Sequence, residues 1–167
     1  MLIVAVDNTM EQAERLAQLH SDYTGLDVAV VNYRAILDEM ASGQSHTMAV
    51  RRLAKMLNDR TPGRLKGVLL FARAPRDNTG VTAIESPEQF AATYIPMLQC
   101  RDGSICGETP KSYATDVIYG MLDDRFVFSP ESKMLGTHEM LRYPLDVAVG
   151  RIPAINAGEA TDYVSKV

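Results

Sequence analysis

The stretch LIVAV, residues 2–6, decides how the rest of the chain is read. Its five residues are all apolar and Ile3, Val4 and Val6 are β-branched. A run this short, with no polar alternation, reads as a strand buried on both faces. Such a strand needs a neighbour on each side and a layer above and below it. Working outward, Thr9 and Gln12 have the spacing of a capping box at a helix start. Ala13, Leu16, Ala17 and His20 follow at helical intervals, as do Leu19 and Tyr23, and Gly25 ends the helix. Residues 27–33, DVAVVNY, form a second strand, and a loop with Ser42, Gly43 and Gln44 follows. Val50, Leu53, Ala54 and Leu57 make the apolar stripe of the next helix, with Arg51, Arg52 and Lys55 assigned to solvent. Thr61-Pro62-Gly63 stops it. Residues 66–72, KGVLLFA, are a third buried strand. Strands alternating with helices in this way predict a parallel sheet with right-handed crossovers, covered on both faces. The fold class expected is α/β, a three-layer sandwich with a mainly parallel sheet of four to five strands.

The second half is less regular. Residues 72–80 form a loop at the C-terminal end of the third strand, the edge where open α/β sheets bind ligands. Ser86, Pro87 and Gln89 fit an N-cap, a first helical position and a capping box, and predict a helix running to about Leu98. Residues 100–114 read as loop, 115–122 as a short strand or an extended segment, and 123–144 as an irregular excursion. A last buried strand covers 145–149, followed by a tight turn over Gly150, Arg151, Ile152 and Pro153. Asn156 and Glu159 have the spacing of a cap and its N3 partner at the start of a final helix.

A chain of 167 residues suits one domain over 1–167. A net charge of -4 gives no footprint for nucleic acid. No apolar run approaches the roughly 20 residues that span a bilayer. The start, MLIVAV, lacks the basic region of a signal peptide. After the first strand comes VDNTMEQ, with no glycine-rich phosphate loop. Asp7 stands where a phospho-receiver domain keeps acids, but the third strand ends Phe71-Ala72-Arg73 without the acid that such a domain phosphorylates.

Cys100 and Cys106, in CRDGSIC, either close a small disulfide loop in an oxidising compartment or remain two free thiols. None of His20, His46 and His138 is set beside either thiol by the sequence, so no catalytic dyad is assigned. Asp116, Asp123 and Asp124 form an acidic cluster. Its oxygens suit a hard cation such as calcium, though the spacing is not that of an EF-hand and solvated turn aspartates explain it equally. Arg151 follows a buried strand and is either a surface residue or an anchor that grips a carboxylate with both arms. No organic cofactor is expected.

In their order and intervals, LIVAV, VAVVNYRAI, LKGVLLFA, TDVIYGMLDD and LDVAVGRIPAINAGEATDYVSKV resemble the gingipain-like cysteine peptidases. The branch most similar includes the sortase-like peptidase of the type IX secretion system of Bacteroidetes-type bacteria. The most specific pieces are Asp116, Tyr119 and Gly120 with the following Asp123 and Asp124, and Asp146, Ala148, Val149, Gly150, Arg151 and Pro153. The resemblance implies a caspase-like, flavodoxin-like half-domain, the first half of a catalytic unit whose His and Cys lie in the second. It implies that this part carries no dyad and braces the catalytic half, its intramolecular partner, with a protein or peptide substrate. It also implies a location in the periplasm, at the outer-membrane surface or outside the cell, in a chain from which residues 1–167 are excised. On that view the last helix is cut short, and Val164 and Val167 face a partner outside it. One departure stands out: Ala72 and Arg73 occupy places where relatives often have Gly-Asp, so a role resting on that acid does not carry over. The alternatives are a stand-alone binding or scaffolding module and a small flavodoxin-like binder of a nucleotide or flavin.

Overall fold

A computed structural model describes residues 1–75, 77–78, 86–101, 112–124 and 144–167. Four strands form one parallel sheet: β1 (Leu2–Ala5), β2 (Ala29–Asn32), β3 (Gly67–Phe71) and β6 (Ala148–Arg151), in the order β2-β1-β3-β6. β1 lies between β2 and β3, with Val4 opposite both Val31 and Leu70. Every residue of β1 is buried, as an uninterrupted apolar run requires.

Helix α1 (Met10–Thr24) crosses from β1 to β2 on one face of the sheet, where α5 (Ala157–Val164) packs beside it. Their core includes Ile3, Ala5, Ala13, Leu16, Phe71, Ala160 and Val164. Helices α2 (Tyr33–Ala41) and α3 (Met48–Arg60) cover the other face, where Val50 and Ala54 of α3 share a core with Val4, Val68 and Leu70 of the sheet. The chain steps outward from β1 to β2 and then back past β1 to β3. Right-handed crossovers in opposite directions must lie on opposite faces, and this yields the three layers. A short helix, α4 (Pro87–Ala91), and an antiparallel pair, β4 (Leu98–Arg101) with β5 (Ser112–Thr115), lie outside the main sheet.

Several local expectations are corrected. α2 stands where the sequence pattern predicts the end of a strand and a loop; Asn32 caps it by accepting from the Arg34 N–H at 2.8 Å. Thr9 is buried and does not cap α1 with its side chain, because its hydroxyl donates across the sheet to the Phe71 carbonyl at 2.6 Å. α4 has the reciprocal Ser86–Gln89 bonds of a capping box but ends at Ala91, and strand β4 begins where the helix was expected to finish. β5 falls at 112–115, so all but Thr115 lies inside the expected loop, and Val117–Gly120 is a 3-10 turn rather than a strand or extended segment. The last strand is displaced to Ala148–Arg151, so Gly150 and Arg151 belong to the sheet and not to a turn. Val164 is buried within this chain against α1, whereas Val167 is 77% exposed. Arg51, assigned to solvent, is 2% exposed.

Candidate functional site

The C-terminal edge of the sheet is where an open α/β fold places a ligand, at the point where strand order reverses between β1 and β3. Here described segments of the chain bond to one another across that edge. Asn8 donates from its side chain to the Thr93 hydroxyl and to the Ile155 carbonyl, both at 3.4 Å. The Arg73 N–H reaches the Ala154 carbonyl at 3.0 Å, and the Arg73 carbonyl accepts from Ile95 at 3.1 Å. Asp7, at the rim, accepts from the Asn32 amide at 2.7 Å and lies 3.5 Å from Arg34. Ala72 is buried and the Arg73 side chain is exposed, so a cation stands at the end of the third strand.

Beside that edge lies an Arg151 clamp. The Arg151 fork grips Asp116 with Nε and one terminal nitrogen, both at 2.7 Å. Its other terminal nitrogen donates to the carbonyls of Ala72 at 2.8 Å and Ile95 at 3.0 Å, and the terminal nitrogen on Asp116 makes a longer 3.5 Å contact with the Pro96 carbonyl. The Tyr119 hydroxyl also donates to the Pro96 carbonyl. One guanidinium therefore joins β6, the end of β3, the segment before β4 and the turn after β5. The pair is 11% and 18% exposed, so solvent screens it little.

The backbone around it is equally close. Asp146 Oδ2 accepts from the N–H groups of Leu122 and Asp123 at 2.7 and 3.2 Å. The Gly120 carbonyl accepts from Asp146 and Val147. A Cβ at Gly120 would stand 2.5 Å from the Val147 carbonyl oxygen and 2.6 Å from Val149, so glycine is the residue that lets these segments touch. Asp116, Tyr119 and Gly120 thus interlock with Asp146, Val149 and Arg151.

A second arginine holds the next residues. Arg51, from α3, donates to the Met121 carbonyl at 2.7 Å and pairs with Asp124 at 2.8 Å. Lys55 lies 2.9 Å from Asp59 and 3.7 Å from Asp124, and the Asp59 contact chiefly raises its pKa. Asp116 and Asp124 are therefore held by different arginines. Among the described residues, no group of three or more His, Cys, Asp or Glu is arranged to hold a metal ion.

Tyr33 and Tyr119 are buried side by side with this cluster. Burial pushes the Tyr33 phenol up to about 12, against smaller opposing effects of Ser45, the His46 backbone and Arg151. Ser45 and His46 face that phenol without completing a hydrogen bond of normal geometry. Burial also raises Tyr119, well above an ordinary phenol.

His20 is half-buried on α1, and His46 is exposed, its Nδ1 accepting from the Met48 N–H at the start of α3. Cys106 and His138 lie outside the described residues, as does most of the 123–144 excursion, so the disulfide reading falls outside them too. The buried role of Arg51 was missed by sequence reasoning. Its only sequence signal is its place next to Val50, at the margin of the apolar stripe. No helix among the described residues is long and apolar enough to cross a membrane.

The model of peptidase family C25 matches residues 1–167. No curated protein matches the chain. Among solved structures the chain is similar to dimeric latent PorU from Porphyromonas gingivalis, at 29% identity and a TM-score of 0.76. That match covers 99% of this chain and 15% of the PorU chain, so the chain spans about a seventh of its relative's length.

Proposed function

Because the chain belongs to peptidase family C25, we propose that it is the N-terminal, non-catalytic half of the catalytic unit of a gingipain-like cysteine endopeptidase. In this reading it braces the catalytic half that follows it. The observation that carries the proposal is the family match over residues 1–167, from first residue to last. The interlock of Asp116, Tyr119 and Gly120 with Asp146 and Arg151 supports a bracing role, because it ties the segments flanking β5 and β6 to one another. A thiolate activated by an imidazole, both supplied after Val167, attacks the peptide carbonyl and releases the amine. Protein or peptide substrates cross the face formed with that second half. The protein works in the periplasm, at the outer-membrane surface or outside the cell.

The test uses the full-length protein and an electrophilic peptide probe that alkylates an activated thiol. Labelling is expected at one cysteine after Val167, lost on changing that cysteine to alanine and retained on changing Cys100 or Cys106. Labelling confined to Cys100 or Cys106 would place the nucleophile in this half and overturn the proposal. Absence of any cysteine-dependent labelling would favour a scaffolding role for the whole protein.

A further inference from the structure

The segment 42–47 joins α2 to α3 and lies over a buried phenol. Residues 42–46 are exposed, whereas Tyr33, which Ser45 and His46 face, is 0% exposed. The two ends of the segment are held differently. At the α2 end, Gly43 and Gln44 donate to the carbonyls of Leu37 and Ala41 at 2.9 and 3.0 Å. Ser42, a residue with a Cβ, takes the left-handed backbone there (φ 51°). At the α3 end, both bonds belong to His46. Its carbonyl accepts from the Ala49 N–H at 3.1 Å, and its Nδ1 accepts from the Met48 N–H at 3.0 Å. His46 thus caps α3 as a serine or asparagine usually caps a helix, and the Thr47 side chain makes no capping bond. Ala49 and Val50 are fully buried, so the helix itself is anchored by its core and the segment before it depends on the cap.

A second observation lies under the middle of the segment. The Tyr33 hydroxyl has no hydrogen-bond partner among the described residues. A buried hydroxyl left without a partner disfavours the closed arrangement, and water would satisfy it if the segment lifted. The His46 cap works against that bias. An imidazole changes its charge between about pH 5 and 8. A proton on Nδ1 removes the acceptor and sets a cation against the positive end of α3. His46 makes no ion pair among the described residues to offset that charge. The ionisable groups around the segment are few. α2 presents Tyr33 and, beside Gly43, Asp38. α3 carries Arg51, which pairs with Asp124, and Arg52, which donates to the Met40 carbonyl. Arg151 of β6, paired with Asp116, and Tyr119 lie near the same phenol.

We propose that residues 43–47 form a pH-gated lid over Tyr33, closed when neutral His46 caps α3 and released when His46 takes a proton. The lid is closed above the range in which an imidazole titrates and opens below it. One proton suffices because the two arrangements are close in free energy: the closed one has the cap bond, and the open one hydrates the phenol. The proposal is independent of the peptidase reading, since it rests on α2, α3 and the segment between them.

The test is amide exchange at Met48 and Ala49 in the full-length protein, at about pH 5 and about pH 7.5, scaled for intrinsic rates. Exchange at both residues is expected to be at least fivefold faster at the lower pH, while 52–60 is unchanged. His46→Asn keeps a capping acceptor that does not titrate, so it should stay slow at both pH values; His46→Ala should be fast at both. Tyr33→Phe removes the unpartnered hydroxyl and should slow exchange at the lower pH at least threefold. With 3-fluorotyrosine at position 33, a soluble paramagnetic probe should broaden the fluorine resonance at the lower pH alone. Exchange that ignores pH overturns the proposal, as does a pH dependence that survives in His46→Asn. Acceleration spread over every helix would mean a loss of global stability and overturn it too. A fluorine resonance equally shielded at both pH values would show that the cap frays without uncovering Tyr33, and the lid would fall.

Discussion

At the residue scale, Arg151 is the costliest side chain to replace. A guanidinium has five N–H donors in a rigid plane, and here that plane meets one carboxylate and several carbonyls from separate segments. A lysine ammonium cannot span them. Removing Asp116 would leave the cation buried with its charge uncompensated, a loss of about 3 kcal/mol for a pair this sheltered. For a domain of this size, Asp116→Ala should lower Tm by about 6–12 °C. Arg151→Lys should cost a comparable amount, and the double variant less than the sum of the two. A fall under 2 °C for Asp116→Ala would show that the clamp contributes little. Tyr33 makes a second residue-scale case. Its pKa is held at about 12 when folded, against 10.0 for an ordinary phenol. The unfolded chain therefore ionises first. The contribution of Tyr33 to stability is whole below pH 10, declines as the pH rises, and is lost on passing 12. Tyr33→Phe should flatten the drop in urea midpoint between pH 10 and 12; an unchanged slope would assign the drop to other groups.

Elements differ in how plainly the sequence announces them. β1 and β3 are legible because a strand covered on both faces has no polar residue to blur its pattern. α2 is hidden because Tyr33 continues the apolar run of β2, although Tyr33, Ile36, Leu37 and Met40 repeat at helical spacing behind the Asn32 cap. β4 and β5 are short, and their pairing across a long connection leaves no local mark. The clamp is half legible. Asp116 and Arg151 could be singled out by type, but not that they meet 35 residues apart. Nor does anything local say that Arg51 turns inward to a carbonyl 70 residues away. Caps are local and read well. In α5, Asn156 accepts from the Glu159 N–H at 2.9 Å, while Glu159 returns a bond to the Ile155 N–H at 3.2 Å. An eight-residue helix cannot sustain itself without such help. Asn156→Ala should cost about 1 kcal/mol, read as a lower urea midpoint and faster amide exchange over 157–164. If exchange there is unchanged, packing on α1 alone holds the helix.

For the whole molecule, the decisive fact is that both cores are completed late in the chain. Ile118, Tyr119, Met121, Leu122 and Val147 belong to the core under α2 and α3. Ala154, Ala160 and Val164 belong to the one under α1. β6 covers the outer edge of β3, with Val149 opposite Val68 and Arg151 opposite Leu70. A chain that stops at residue 143 would uncover β3, strip α1 of α5 and leave Asp116 without Arg151. The buried apolar side chains alone are worth about 1.5–3 kcal/mol for each large one, against a total stability of about 5–15 kcal/mol for a typical domain. Residues 1–143 should therefore show no cooperative urea transition, and adding 144–167 as a separate peptide should restore one together with the native far-ultraviolet signal. A cooperative transition in residues 1–143 alone would mean that β1, β2 and β3 with three helices form a sufficient core. β6 would then be an addition to a finished fold, and the Arg151 clamp a fastening for the loops rather than for the sheet.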